Sequence, residues 1–382
     1  MKHSLLFVLS SFAIGGTTVS TRNLIAVLDK DKYDIYVLAL NPNGVLKWMY
    51  DDVKQIPTCF TAKALALSGW REETIWYRRL LVACIRFTSH HSECMKFAFY
   101  RHIEKKCLRK FNFNTVIACQ EGLLSDLVSK FDCSNLVAWV RCDYQRYFSS
   151  NNFNKEPFYQ KYNHIVCVAE TTKKSFTEIY PEYLDRTVCI YNPQDSNLIN
   201  SQSDLNDNDQ RFRTNGIVLL SLGRLDKVKR FDKIPFIANK MKKMGLNFTW
   251  YIVGDGGESK LIADNIQQYG VSECVIMLGA KSNPHFYIKR ADLYVCLSSS
   301  EACPRVINEA KILGTPVVST DFPTVFEYLV DGVDGRIASI ENIPNTIVEL
   351  FTDNNLYIRI KSEISKFHFD NAQLIKNLEV IL

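Results

Sequence analysis

Two glutamates, Glu301 and Glu309, stand eight positions apart in SEACPRVINEAKILGTPVV. The run ADLYVCLSSS before them reads as a buried strand. Pro304 suits a first helical position, where its fixed φ fits and its missing N–H costs nothing. The predicted helix ends near Leu313, with Gly314 as its stop. Glu301 then lies in the loop after the strand and Glu309 about one turn further into the helix. Backbone N–H groups near Arg305, Val306 and Ile307 are expected to be free there and to favour a phosphate. Carboxylates at the two ends suit sugar and ribose hydroxyls, whose hydrogen bonds they accept in pairs. A capping glutamate followed by a solvated one is the plainer alternative.

Upstream, SLGRLDKVKR sets Arg224 and Lys229 five positions apart across a tight loop. A forked guanidinium and a point-charge ammonium could both reach one diphosphate; an ordinary basic loop is the plainer alternative. YIVGDGGESKL ends a strand at Gly254 and passes Gly256 on the way to a helix. It resembles a phosphate turn without the full dinucleotide fingerprint. A nucleotide edge could lie against it, or against Ala280 and Lys281 in LGAKSNP.

Positioning these groups requires strands that end in loops, and the chain supplies them in two series. LLFVL, YDIYVLAL, TVIACQ, NLVAWV, HIVCVAE and TVCIY form the first. IVLLSLGRL, FTWYIVGDG, CVIMLG, ADLYVCLSS and TPVVSTD form the second. Short, nearly continuous apolar strands alternating with helices imply parallel sheets covered on both faces. The expectation is an α/β protein with two Rossmann-like domains facing across a central cleft. Ligands would bind at the carboxyl ends of the strands. Between the series lies a polar stretch rich in Asn, Asp and Ser. The domains are expected at 1–192 and 214–355, joined by a linker at 193–213.

The formal charge of +5 is unevenly spread. Met1–Asp195 has 25 Lys/Arg against 19 Asp/Glu, about +6, and the remainder 21 against 22, about −1. An anionic partner or membrane surface would therefore meet the first half only. The twelve cysteines sit singly in apolar runs with no C-x-x-C pair. They read as buried free thiols of a reducing cytoplasm, not as a zinc or disulfide framework. The start, MKHSLLFVLSSFAIGG, imitates a signal peptide but reads better as a first buried strand, Leu5–Leu9, with a turn at Gly15 and Gly16. No apolar run approaches the length of a transmembrane helix.

Taken together, these residues resemble a GT-B-fold glycosyltransferase of family four, the glycosyl transferases group 1 type. The resemblance is carried by the E-x7-E pair Glu301/Glu309, the R-x4-K pair Arg224/Lys229, VGDGGE, LGAKSNPHFYIKRADLYVCLSS and LGTPVVSTDFPTVFEYLVDGVDG, with the early GG turn and TVCIYNP in agreement. It covers nearly the whole chain, most strongly 215–337, and is weaker from Trp48 to Phe113. It implies a UDP- or GDP-linked sugar as donor substrate, with no separate cofactor and no metal. Glu309 would take the ribose hydroxyls, and Glu301 with the backbone of Ala302 and Cys303 the sugar hydroxyls. Arg224 and Lys229 would stabilise the diphosphate leaving group. Gly15, Gly16, Gly254, Gly256, Ala280, Lys281, Arg305 and Val306 would complete the donor site. The terminal helix, about 356–382, would pack back on the first domain.

The reading that follows is a metal-independent, retaining hexosyltransferase of surface polysaccharide biosynthesis, on the cytoplasmic side, with a lipid-linked saccharide as acceptor. A nucleotide-sugar epimerase, a phosphorylase and a non-catalytic saccharide or nucleotide binder are the alternatives. Two departures from the family matter. EAC replaces the usual Glu-Gly-Phe, and Arg141 in VAWVRCDYQRY stands where relatives tend to have histidine. A permanent cation is no general base, so Arg141 would bind an anionic group. Asp143 would orient it or take the acceptor proton. A structural Arg141–Asp143 pair is the alternative.

The segment Trp70–Phe113 interleaves basic and aromatic residues. It fits helices packed on the first sheet, or peripheral contact with an anionic inner membrane face. No nucleic-acid module is recognisable, so nucleic acid is not an expected partner. Asp29–Asp31 and Asp207–Asp209 have a metal-binding spacing but fall in polar turns. His90 and His91 are adjacent and read as surface residues.

Overall fold

The structure, a computed structural model, describes all 382 residues except 1, 14, 68, 69, 151–154, 208 and 214, and the side chain at position 70. The chain divides into two compact units, Met1–Pro193 with Asn371–Leu382, and Gln194–Asp370.

Each unit is built on a parallel sheet. In the first, β1 (His3–Ser11), β2 (Tyr33–Asn41), β3 (Lys54–Gln55), β4 (Thr115–Ala118), β5 (Asn135–Val140), β6 (His164–Cys167) and β7 (Thr187–Cys189) pair in the order β3-β2-β1-β4-β5-β6-β7. In the second, β8 (Ile217–Leu222), β9 (Phe248–Val253), β10 (Val275–Gly279), β11 (Leu293–Cys296), β12 (Val317–Thr320) and β13 (Arg336–Ala338) follow the order β10-β9-β8-β11-β12-β13. The central strand β1 shows why alternation is missing from these sequences. Its residues Leu5–Leu9 are all buried, because helices cover both faces. The short edge strands β3 and β13 escape the sequence reading. Two or three residues carry no usable period, and edges need little burial.

Each unit has its own apolar core. Leu6, Val8, Leu38 and Tyr100 pack in the first, and Trp250, Ile252, Leu293 and Ile347 in the second. The fold is thus α/β with two parallel-sheet Rossmann-like domains.

Two expected boundaries need correction. Positions 193–213 are not simply a linker, since Ser196–Asp204 is a helix. The Asp195 carboxylate caps it, accepting from the Leu198 amide at 2.9 Å. The helix belongs to the second unit. Asn283 Nδ2 donates to the Gln202 carbonyl (2.7 Å), and Arg290 donates to that of Ser203 (2.9 Å). Its polar composition hid it because it is held by hydrogen bonds more than by an apolar stripe. The terminal segment likewise splits. Leu356, Ile360 and Ile364 of the helix Asn354–Ser365 belong to the second core. Only Ala372–Ile381 joins the first unit, through Asn135 to the Ile381 carbonyl (2.9 Å) and Thr115 to that of Leu382 (2.8 Å).

The cysteines are all free thiols, but seven of the twelve are not buried, and Cys84 and Cys94 are exposed. The apolar runs that carry these two are partly surface helix, not core strand.

Candidate functional site

In the second unit the chemistry gathers at the loops that follow β8 and β11. Gly223 ends the stretch after β8, and Asp226 shapes the next turn. One Asp226 carboxylate oxygen accepts from the amides of Val228 (3.0 Å) and Lys229 (3.1 Å), the other from Arg224 Nε (2.8 Å). The chain then bends at Arg230, the one non-glycine with positive φ (53°) among the described residues. Such a conformation costs energy and is kept where surrounding contacts enforce it. A Cβ on Gly223 would come within 3.3 Å of the Lys229 side chain, so the glycine leaves room for that lysine.

Lys229 Nζ donates to Glu301 Oε1, which also accepts from Ser298 Oγ at 2.6 Å. Ser299 ties the two loops together, its amide donating to the Val228 carbonyl at 2.8 Å. Burial alone would lower the Lys229 pKa, but the charges and hydrogen bond around it, Glu301 first and then Cys296 and Asp226, together outweigh this and the pKa is raised. The lysine is therefore a fixed, half-buried cation. Arg224 does not share its partner: its side chain is 79% exposed and paired with Asp226. The two cations expected on one anion thus each hold a separate carboxylate.

Glu309 sits deeper. It is 3% exposed on the helix Arg305–Ile312. Arg305 Nη2 donates to its Oε1 at 2.8 Å, and His285 Nε2 lies 3.7 Å from its Oε2. Burial pushes the Glu309 carboxyl up, but Arg305 and His285 outweigh it and hold the pKa at about 2. Pro304 is the residue before the helix, not its first. Of the three amides expected to be free, those of Arg305 and Ile307 already donate to the carbonyls of Cys303 (2.8 Å) and Pro304 (2.9 Å). Val306, Ala302 and Cys303 are half-buried around this turn, with the Tyr328 hydroxyl on Cys303 Sγ at 3.2 Å.

The glycines after β9 have a steric role. At Gly254 (φ +149°) an added Cβ would lie 1.8 Å from the Gly223 carbonyl oxygen, and at Gly256 2.3 Å from that of Leu225. They let two strand-end loops touch. Lys281 is paired with Asp209 at 2.6 Å, and Asp209 also binds Arg211 at 2.6 Å. Hydrogen bonding from Arg211 leads the lowering of the Asp209 carboxyl. Asp209 of the Asp207–Asp209 stretch is thus an ion-pair residue, while position 208 lies outside the described residues. Ala280 is exposed.

In the first unit, Gly15 and Gly16 open the helix Gly16–Val27 and are exposed, with no described atom within 4 Å of an added Cβ. Arg141 follows β5. Its Nε donates to the Cys119 carbonyl (2.8 Å), and Nη1 to Ser20 Oγ (2.7 Å) and Asn192 Oδ1 (2.6 Å). It also lies 5.6 Å from the Trp139 ring centre. Arg141 therefore fastens the ends of β4 and β5 to the first helix and to the segment after β7. These bonds do not pair it with Asp143, which caps the next turn instead, accepting from the Arg146 amide at 3.4 Å.

Sequence reasoning missed Asp226, Ser298, His285 and Gln202. Ser298 and Asp226 lie within three residues of a recognised position. His285, though inside a quoted motif, and Gln202 carry no local sign of this role, since only the fold brings His285 to Glu309 and Gln202 to His285. Among the described residues, no group of three or more His, Cys, Asp or Glu side chains gathers in metal-binding geometry. No helix of the described residues is long and apolar enough to cross a membrane.

The two parallel sheets give the chain a GT-B-type fold, and residues 202–366 match the family model of glycosyl transferases group 1. Over its full length the fold is similar to that of Anabaena Alr3699/HepE, solved with UDP and glucose. The TM-score is 0.71 at 16% identity, covering 99% of this chain and 98% of that one. The lipopolysaccharide outer core galactosyltransferase WaaB gives 0.65 at 14%, with 99% and 98% covered. At these identities the likeness is one of fold.

Curated relatives include the uncharacterized glycosyltransferase MJ1059 of Methanocaldococcus jannaschii, 22% identical over 57% of this chain and 58% of that protein. The lipopolysaccharide core biosynthesis glycosyltransferase LpsE of Rhizobium meliloti is 28% identical over 37% and 42%. The Vi polysaccharide biosynthesis protein VipC/TviE of Salmonella typhi is 29% identical over 22% and 15%. The chain thus spans between 15% and 58% of the length of these relatives. By name, MJ1059 and LpsE are glycosyltransferases, and LpsE and VipC/TviE belong to lipopolysaccharide core and Vi polysaccharide biosynthesis.

Proposed function

We propose that this chain is a retaining hexosyltransferase of family four that moves a sugar from UDP or GDP onto a saccharide, lipid-linked acceptor in surface polysaccharide biosynthesis. The carrying observation is the Lys229–Glu301 ion pair beside the clamped Glu309, inside the segment that matches the family model. A UDP-type donor is further supported by the UDP in the HepE structure. The second unit holds the donor and the first unit the acceptor.

In the reaction, the bond from the anomeric carbon to the diphosphate oxygen breaks and its electron pair stays on the diphosphate. A fixed ammonium stabilises that growing charge more in the transition state than in the ground state. Glu301 orients Lys229 and takes donor-sugar hydroxyls, with Arg224 turning from Asp226 to the diphosphate. The acceptor oxygen bonds the anomeric carbon on the face the diphosphate leaves. Its proton passes to the departing group, so no strong base is needed. Arg141 acts by orientation and anion binding, with Asp143 beside it in sequence.

Release of nucleoside diphosphate from a panel of UDP- and GDP-sugars, with and without saccharide acceptors, tests this reading. Release only with acceptor supports it. Conversion of the sugar nucleotide without acceptor would indicate an epimerase, and dependence on inorganic phosphate a phosphorylase. Because lysine supplies the charge a divalent ion would otherwise supply, EDTA should leave turnover unchanged; full loss would refute the metal-independent mechanism.

The first unit also favours peripheral membrane contact. The helix Trp76–His91 exposes Trp76 (73%), Leu80 (60%) and Phe87 (64%). Residues 70–113 contain ten Lys/Arg against four Asp/Glu, about +6. Apolar side chains interleaved with cations suit an anionic bilayer surface.

A further inference from the structure

The carboxylate of Glu309 is held by more than the spacing of its motif reveals. It is nearly fully buried, and a buried carboxylate is tolerated only when charge and hydrogen bonds compensate it. Arg305, one turn earlier, supplies a charged donor to Oε1 at 2.8 Å. The other oxygen faces His285 Nε2 at 3.7 Å. His285 comes from a separate helix, Pro284–Arg290, and its Nδ1 lies 2.8 Å from Gln202 Oε1 on the helix Ser196–Asp204. The backbone of Gln202 is tied to the start of the His285 helix, because its carbonyl accepts from Asn283 Nδ2 at 2.7 Å. The chain Gln202–His285–Glu309–Arg305 therefore joins three helices of the second unit.

The hydrogen pattern follows from the donors available. If the Gln202 amide presents its oxygen to Nδ1, then Nδ1 carries a proton, and an attractive contact with Glu309 requires the imidazolium. If the amide is turned, its N–H2 donates to Nδ1 and a neutral ring carries its proton on Nε2. Both arrangements aim an Nε2–H at Glu309 Oε2. Each carboxylate oxygen has two acceptor sites. Arg305 uses one on Oε1 and His285 faces one on Oε2, which leaves a second site on each oxygen. Two adjacent hydroxyls of a ribose present two donors at a spacing that one carboxylate can accept.

We propose that His285, held by Gln202, is a positioning residue that sets the plane of the Glu309 carboxylate for the vicinal hydroxyls of a nucleotide ribose. The inference rests on the donor-site reading given above and adds to it a source of ribose-over-deoxyribose selectivity. It also gives the helix Ser196–Asp204 a functional task.

Calorimetric titration of the intact protein with UDP, GDP and their 2′-deoxy forms tests it. The wild type should prefer the ribonucleotide. Glu309→Ala should abolish that preference, and His285→Ala should reduce it about tenfold. His285→Gln, which can still donate toward Oε2, should restore part of it. The preference is a ratio between two ligands on one protein, so a general loss of stability would not move it. Preference lost in Glu309→Ala but intact in His285→Ala would overturn the role of His285 alone. A wild type without preference would refute Glu309 as the ribose ligand, and no binding of either nucleotide would overturn the donor-site reading with it.

Discussion

The loops after β8 and β11 and the helix Trp76–His91 are both rich in cations, yet they treat charge in opposite ways. In the loops Lys229, Arg224 and Arg305 hold Glu301, Asp226 and Glu309 respectively. On the helix, Arg78 faces the Phe60 ring, 5.9 Å from its centre, Arg79 donates to the Glu73 carbonyl, and the apolar side chains Trp76, Leu80 and Phe87 are exposed. The first arrangement is pre-organised at Lys229–Glu301 and Arg305–Glu309, whose side chains are largely shielded and aimed, while the exposed Arg224 is left to turn toward a ligand. The second is a surface whose apolar groups Trp76, Leu80 and Phe87 stand largely exposed. A site that performs chemistry needs the first kind of order, and a face that meets a large soft partner can do without it.

The sharpest way to break the comparison is to remove Lys229. Lys229→Ala should lower transfer by about 10²–10³-fold and leave the fold intact by circular dichroism. Glu301 would keep Ser298 but lose its cation. Lys229→Arg should recover only part of the rate, since a planar fork does not replace a point charge beside Gly223. Near-normal turnover of Lys229→Ala would refute its place on the diphosphate.

A second test asks whether the pairing is as tight as the geometry implies. The Glu309 pKa lies at about 2 against an ordinary 4.5. A depressed carboxylate contributes stability that is fully present above its unfolded value and fades as pH falls toward the folded one. The ion pairs of Glu309 should therefore contribute on the order of 3 kcal/mol near neutrality. The difference in melting temperature between wild type and Glu309→Gln should be large at pH 6 and shrink below pH 4.5. A difference that stays constant with pH would show that Glu309 is not held by charge.

How far these features were legible depended on the distance over which they are specified. Lys229 and Glu301 are 72 residues apart, yet each sits at the end of an apolar strand that is plain in the sequence. Parallel strands ending on one edge bring them together. The glycines at 254 and 256 were also visible, but as a phosphate turn; the structure gives them a steric reason, a backbone approach no Cβ would permit. The pairing of His285 with Gln202 was not visible, because His285 carries no assigned role within LGAKSNPHFYIKRADLYVCLSS, Gln202 lies in a polar stretch, and their meeting depends on how two short helices pack. The helix Ser196–Asp204 was hidden by its polarity, and Arg141 shows a related limit. Its neighbour in sequence, Asp143, was the alternative partner, whereas three of the Arg141 hydrogen bonds run to Ser20, Cys119 and Asn192, which are 121, 22 and 51 residues away.

The exposed face invites the gentlest test, because altering it should leave the chemistry alone. Trp76, Leu80 and Phe87 recur at intervals of four and seven along the helix Trp76–His91, which places them on one stripe. Only Val82 of that helix is buried, so the stripe does little for the core. A bilayer would accept these side chains at its headgroup boundary while the surrounding lysines and arginines meet anionic lipid. Changing all three to serine should therefore weaken flotation with vesicles containing anionic lipid by about tenfold, through lost apolar burial. Thermal stability and transfer to a soluble saccharide should stay close to wild type. Vesicles of purely zwitterionic lipid should bind the wild type poorly, and salt should release it from the anionic ones. Equal flotation of wild type and triple variant would remove the membrane reading of this face and leave it as a solvated helix, without touching the loops after β8 and β11.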